Sequence, residues 1–261
     1  MSLNKANINK IHNSLTTLFT GKQLVYREEV DSTNNYLQQM IREERPPEGA
    51  AVITAHQSGG RGQRSNVWRS QPGKNLLCSI YLKPRFLKPH ESFMLNKLVS
   101  VSVIKAIRNL GIKNVAVKWP NDVFIGNRKA GGVLIETGIK AKAINSAVIG
   151  IGININQTDF YGEARATSLA LECGQQIDAD EVFVRLCGNL ERGYMNLKKD
   201  LSDPEKEYHE FLWGKNDFHL YQTAEGKQQL KVKRVTTEGF LVSEDHGGKQ
   251  HIFEKYELKL L

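Results

Sequence analysis

The sequence predicts an α+β protein with a large part that mixes strands and helices and a small all-β part after it. Before Gly214, strand-like and amphipathic helical runs follow one another without the strict strand–helix alternation of a doubly wound sheet. After Gly214 the texture changes to five short strand-like runs separated by Gly-rich or polar turns. The length of 261 residues suits one large domain, or a medium one and a small one. A boundary at 214/215 divides the chain into residues 1–214 and 215–261.

The elements follow in order. "DSTNNYLQQMIREE" predicts a helix, with Asp31 or Ser32 able to cap it and Tyr36, Leu37, Met40 and Ile41 forming an apolar stripe. "RPPEG" at 45–49 ends it, and "AAVITA" at 50–55 reads as a buried strand. "NLLCSIYLK" at 75–83 is strand-like. The run 92–111 suits a largely buried helix on Leu98, Val101, Ile104 and Ile107, with Gly111 as its stop. "VAVKW" (115–119), "DVFI" (122–125) and "GGVLIET" (131–137) are short strands, and "GNRK" has hairpin chemistry. "SAVIGIGINI" (146–155) is another β-rich run, and 156–168 is a polar loop. The run 180–199 is an amphipathic helix on Val182, Leu186, Leu190, Tyr194 and Leu197, and 205–213 is a short helix. The closing strands are "FHLYQ", "QQLKVKRV", "GFLVS", "QHIFE" and "YELKLL".

Composition narrows the function. Hydrophobic residues at 40% and charged residues at 25% are ordinary for a soluble globular protein. No apolar run reaches the roughly 18 residues of a membrane helix, and the polar start "MSLNKANINK" carries no secretion signal. Three cysteines, Cys78, Cys173 and Cys187, without a CxxC pair argue against a disulfide framework or zinc knuckle and suit a reducing cytoplasm. The formal charge of +8 favours an anionic partner: phosphates, an acidic protein or nucleic acid. GxxxxGK[ST] and HExxH do not occur, and "GRGQRS" and "GIGINI" lack the third glycine of the dinucleotide fingerprint.

The basic stretch "HQSGGRGQRSNVWRS" at 56–70 holds three glycines, three arginines and Trp68. Glycines expose backbone N–H groups to a ligand, while Arg61 and Arg64 can make charge-assisted bonds to phosphate or carboxylate. Trp68 supplies a flat wall, although a solvated loop with Trp68 anchored in the core fits the same residues. In "VKWPNDVFIGNRKAGGVLIE" (117–136), Pro120-Asn121-Asp122 is a turn signal bracketed by Lys118 and Lys129. Gly131 and Gly132 begin the next strand, where a ligand can lie flat; a hairpin with exposed lysines is the plainer alternative. "GIGININ" places polar Asn154 at the end of an apolar strand, where a simple strand-end turn is also possible.

Together "DSTNNYL", "TAHQSGGRGQRSNVWRSQPGKNL", "VKWPNDVFIGNRKAGGVLIE" and "IGIGININ" resemble the biotin protein ligase family in order and spacing. The resemblance spans roughly residues 25–200, and the C-terminal part matches by architecture as a small SH3-like β-barrel. It implies a mixed-sheet catalytic domain and a two-step reaction. Biotin's carboxylate attacks the α-phosphate of ATP, giving biotinyl-5′-AMP and pyrophosphate; a lysine of a biotin carboxyl carrier protein then takes the biotinyl group. It implies Ser32, Thr33, Asn34 and Gln57 on the ureido ring, with Arg61, Gly62, Gln63, Lys129, Gly131 and Gly132 also on biotin.

Arg61, Arg64 and Lys129 would hold the carboxylate against the phosphate, and Trp68, Lys118, Asn121, Asp122 and Asn154 would line the nucleotide side. Lys129, Arg64 and Asp122 are the implied catalytic set, with Asp122 the Mg²⁺ ligand. Gln63 departs from the family, which often carries a basic residue there, and "SNVW" replaces a second Gly-Arg pair. About 30 residues precede "DSTN", fewer than the helix-turn-helix unit of larger members needs, which implies a ligase without specific nucleic-acid binding. No membrane partner is expected, and related ligases pair through an exposed sheet edge, which makes a weak homodimer one expected arrangement. A lipoate or octanoate ligase of the same fold is the nearest alternative reading.

Overall fold

The structure, a computed structural model, describes residues 7–64 and 66–261. The first six residues of the polar N-terminus, and Ser65 of the basic stretch, lie outside the described residues. A short helix α1 (Ile8–Ser14) leads to strand β1 (Leu24–Val30), then α2 (Thr33–Glu43), β2 (Ala51–Gln57) and β3 (Leu76–Leu82). The long helix α3 (Phe93–Arg108) precedes β4 (Val115–Lys118), β5 (Asp122–Ile125), β6 (Arg128–Lys140) and β7 (Ala143–Ile153). Three helices follow, α4 (Leu169–Cys173), α5 (Ala179–Leu197) and α6 (Ser202–Glu210). The chain ends with β8 (His219–Thr223), β9 (Gly226–Val235), β10 (Leu241–Glu244), β11 (Gln250–Phe253) and β12 (Lys259–Leu260).

The expected α+β class is the one found. The larger sheet has seven strands in the order β1-β2-β3-β7-β6-β5-β4. Only β1 and β2 run parallel, with α2 as the crossover, and every other neighbouring pair is antiparallel. The second sheet is antiparallel, in the order β11-β10-β9-β8-β12, with β11 and β12 as end strands rather than the partners that close a barrel.

The two faces of the large sheet are covered differently. One carries Ile80, Val133, Ile149, Ile151 and Ile153 against the apolar sides of α3 and α5, forming the main core. Helix α3 is buried almost all round because α5 and α6 pack on it from outside. On the other face, α2 covers only one part, through Leu37 and Met40 against Val52, Tyr81 and Val148. The rest of that face is left to loops, and the site forms there.

Two expectations change. β1 was not anticipated, because its Arg27, Glu28 and Glu29 interrupt any apolar alternation; as an edge strand it needs only one paired side. β6 and β7 are longer than predicted and meet in a tight hairpin. Its turn holds Ala141 (φ 52°) and Lys142 (φ 64°), both in the left-handed region that two-residue hairpin turns use and that normally draws Asn or Gly.

The two sheets are joined by specific polar contacts. Lys97, fully buried on α3, donates to Glu205 Oε1 at 2.5 Å and to the Val235 carbonyl at 3.1 Å. Trp119 Nε1 donates to the Gly239 carbonyl at 3.0 Å. The outer strand β4 is capped by the segment leading out of α6: Val117 N–H donates to the Phe211 carbonyl, and Trp213 N–H to the Val117 carbonyl.

Candidate active site

The uncovered part of the sheet carries glycines at alternate positions. Gly132 pairs with Gly152, and Gly150 lies two residues away on the same face. Strand side chains alternate between faces, so this spacing leaves a flat backbone floor on one side while the intervening isoleucines fill the core. At two of the three a side chain meets its neighbours: a Cβ on Gly150 would stand 2.5 Å from Asn34 Oδ1 and one on Gly152 2.8 Å from the Trp68 indole, whereas one on Gly132 finds ordinary contacts at 3.7 Å.

Above the floor is a cleft of about 240 Å³. It gathers Ser32, Thr33, Asn34, Gln57, Arg61, Gly62, Gln63, Trp68, Asn121, Asp122, Lys129 and Gly132, as the sequence suggested. A second cavity of about 220 Å³ adjoins it, lined by Arg69, Asn154, Gln157, Tyr161 and Glu163 among others. Trp68 and Lys129 belong to both, so they stand at the junction.

A chain of hydrogen bonds organises one end of the cleft. Gln57 Oε1 accepts from the Thr33 N–H at 2.8 Å, and Ser79 Oγ lies 2.7 Å from Thr33 Oγ1 and 2.6 Å from Asn34 Oδ1. Asn34 Nδ2 donates to Glu136 Oε2 at 2.6 Å, and Arg61 reaches the same carboxylate at 2.8 and 2.9 Å. Thr33 Oγ1 donates to Gln57 Oε1 at 3.0 Å and Asn34 Oδ1 can only accept, so the single Ser79 proton is shared between two acceptors, Thr33 Oγ1 and Asn34 Oδ1. The network converges on Glu136, which accepts from Arg61 on one side and from Asn34 on the other. Ser32 is the N-cap position of α2, but its hydroxyl makes no cap bond.

The junction is governed by charge. Lys129 Nζ stands 2.6 Å from Asp122 Oδ1, and Lys118 Nζ 4.0 Å from Asp122 Oδ2. Burial pushes the Lys118 ammonium below its usual pKa; Asp122 opposes this, while Lys129 and Arg165 add to it. The backbone of Lys129 is clamped to the polar loop, with its N–H on the Arg165 carbonyl and its carbonyl accepting from Thr167 N–H. Asp122 is engaged by two ammonium groups, and among the described residues no group of three or more His, Cys, Asp or Glu could hold a metal. Mg²⁺ is ordinarily held by one or two carboxylates together with substrate phosphates rather than by an all-protein cage, so Asp122, which lines the cleft, is the carboxylate that would share such an ion with a phosphate ligand.

Three expected residues lie outside the lining of the cleft, and a fourth, Asn154, lines the adjoining cavity. Gly131 faces the core by strand alternation, and a Cβ there would meet the Gly152 carbonyl at 2.7 Å, so it serves backbone packing rather than a ligand. Arg64 is not among the lining residues; its guanidinium lies 3.6 Å from the centre of the ring of Tyr256, which does line the cleft. Lys118 lies behind Asp122, beside Trp119 and Trp213. Asn154 lines the second cavity alone and ties down the polar loop, donating to the Thr167 carbonyl at 3.0 Å. Asn121 does reach the cleft, although its Nδ2 is spent on the Val133 carbonyl at 2.6 Å.

Several residues escaped sequence reasoning. Gly150 and Gly152 were legible as glycines two apart in an apolar strand. Ser79 was legible as a lone hydroxyl in the run "LLCSIYL". Glu136 and Tyr256 carry no local signal, because their partners lie 75 and 193 residues away in sequence.

The pattern of the Biotin/lipoate A/B protein ligase family matches residues 26–154. The chain is 30% identical over 254 residues to the Bifunctional ligase/repressor BirA of Bacillus subtilis, covering 95% of this chain and 78% of that protein. It is 31% identical over 263 residues to the human Biotin--protein ligase, covering 93% of this chain and 35% of that one. A solved biotin protein ligase from Aquifex aeolicus, in complex with biotin and ATP, superposes with a TM-score of 0.75 at 26% identity, over 92% of this chain and 99% of that one. In sequence and fold, the chain belongs to the biotin/lipoate protein ligase family.

Proposed function

We propose that this protein is an ATP-dependent ligase that activates biotin as biotinyl-5′-AMP and transfers it to a lysine of a biotin carboxyl carrier domain. One observation carries the reading: Lys129 stands between a glycine-floored cleft and a second polar cavity. The fused rings enter the cleft against Gly132 and beside Trp68, which covers Gly152, with their ureido group toward Ser32, Thr33, Asn34 and Gln57. The carboxylate then reaches Lys129, and the nucleotide occupies the side of Trp68, Arg69 and Asn154.

The first step joins a carboxylate oxygen to the α-phosphorus and expels pyrophosphate. Both reactants are anionic, so the junction must offset charge. Lys129 and, through Asp122, Lys118 provide fixed positive charge where it develops. Mg²⁺ enters on the phosphates of ATP as part of the substrate. In the second step the acceptor amine attacks the acyl carbon, AMP leaves, and an amide forms. No enzyme nucleophile is needed. Residues 1–214 form the catalytic unit of this proposal and residues 215–261 the accessory one.

The test is ATP–pyrophosphate exchange with biotin and, separately, with lipoate. Exchange with biotin alone is expected. Background exchange with biotin, or equal exchange with lipoate, refutes the reading.

A further inference from the structure

Tyr256 belongs to the C-terminal part, between β11 and β12, yet its side chain lines the cleft. Its hydroxyl donates to Gln63 Oε1 at 3.0 Å, and the Arg64 guanidinium lies 3.6 Å from its ring centre. The backbone under it is at φ 79°, in the left-handed region that glycine occupies freely and other residues rarely do. Arg64, facing it, is also there at φ 58°.

The local turn does not need a tyrosine. It closes through the Glu257 N–H on the Glu254 carbonyl and the Glu254 N–H on Glu257 Oε2, neither of which uses the Tyr256 side chain. A strained position is thus occupied by a side chain whose hydrogen bond and cation contact both go to the basic loop.

That loop is weakly held elsewhere. Among the described residues its own backbone bonds are Gly62 N–H to the Asn66 carbonyl, Asn66 N–H to the Gln63 carbonyl and Trp68 N–H to the Gly60 carbonyl, with Arg61 on Glu136 as a tie to the sheet floor. It carries Trp68 over Gly152. Gln63 is neutral and cannot itself hold a phosphate by charge, so retention falls to the loop staying down.

We propose that Tyr256 is a positioning residue, supplied by the C-terminal part, that latches loop 60–68 through Gln63 and Arg64 and so sets how long the acyl-adenylate is retained. The identity of the retained species rests on the function proposed above; the latch does not. The informative variant is Tyr256→Gly, because glycine suits φ 79° and removes the latch without adding backbone strain.

Hydrogen exchange is measured on the protein alone, and release of biotinyl-AMP after its formation from biotin and ATP. Losing one hydrogen bond and one cation–π contact should speed exchange in 60–68 and adenylate release by about tenfold, with melting temperature equal to or above wild type. Tyr256→Phe, which keeps the stack, should fall between the two. Unchanged exchange and release in Tyr256→Gly overturn the latch, as does a lowered melting temperature with faster exchange throughout the chain, which would make Tyr256 a structural prop. If wild type forms no adenylate, the proposed function fails instead, and loop exchange alone decides the latch.

Discussion

Lys129→Ala removes one positive charge from the junction and little else. In the intact site Lys129 Nζ is 2.6 Å from Asp122, while Lys118 is 4.0 Å from the other carboxylate oxygen. Without Lys129, Asp122 turns from a neutralised group into an anion shared with one more distant lysine, beside two anionic reactants. A unit charge at about 4 Å in an effective dielectric of about 20 is worth about 4 kcal/mol. Removing one preorganised group aimed at transition-state charge costs about 2.7–4 kcal/mol in measured cases. Both figures give adenylation slower by about 10²–10³-fold.

Stability should barely respond. The Lys129 side chain is 39% exposed, and pairs of that kind contribute about 0–1 kcal/mol, a shift of about 2–4 °C at most. The assay is single-turnover adenylation at saturating biotin and ATP, with biotin binding measured separately without ATP. A mutant within fivefold of wild type refutes the junction. So does a loss of biotin affinity as large as the loss of rate, which would mark a group that binds ground and transition states alike.

Gly150→Ala drives a Cβ to 2.5 Å from Asn34 Oδ1, which Ser79 and Glu136 hold on both sides, so overpacking of about 1–3 kcal/mol and weaker biotin binding are expected; calorimetry showing wild-type affinity would remove the glycine floor from the site. Burial, with Lys97 nearby, holds His209 below its ordinary pKa, and its Nε2 accepts from the Val235 N–H at 3.0 Å. The unfolded chain then binds the proton first, so stability present above about pH 6.5 should fall as pH drops through that value; His209→Gln with an unchanged pH–stability slope would disprove the assignment. Loops 57–69, apart from Ser65, and 156–168 should gain hydrogen-exchange protection when biotin and ATP are added, since their glycines make ordering costly without ligand contacts; equal protection in both states counts against closure.

The residues that gather at the cleft were readable from the chain because their signals are local. Glycines, lysines and turn residues in "KWPND", "RKAGG" and "GRGQRS" state their backbone and charge requirements within a few positions. Helices α2, α3 and α5 were readable for the same reason, since 3.6-residue periodicity is a short-range property.

The orientation of each residue was not readable. Gly131 and Gly132 look alike in sequence, and the pleat sends one to the core and the other to the cleft. Arg64 reads in sequence as a free cation of the basic loop, and only packing of the C-terminal part puts the Tyr256 ring against it. Glu136 closes the Asn34–Arg61 network only because β6 and α2 meet across the sheet face. Such contacts join residues from 75 to 193 positions apart, and no local pattern encodes a partner at that distance. They arise when apolar burial of α3 and α5 on one sheet face leaves the other open, so the position of the cleft follows from how the core is packed.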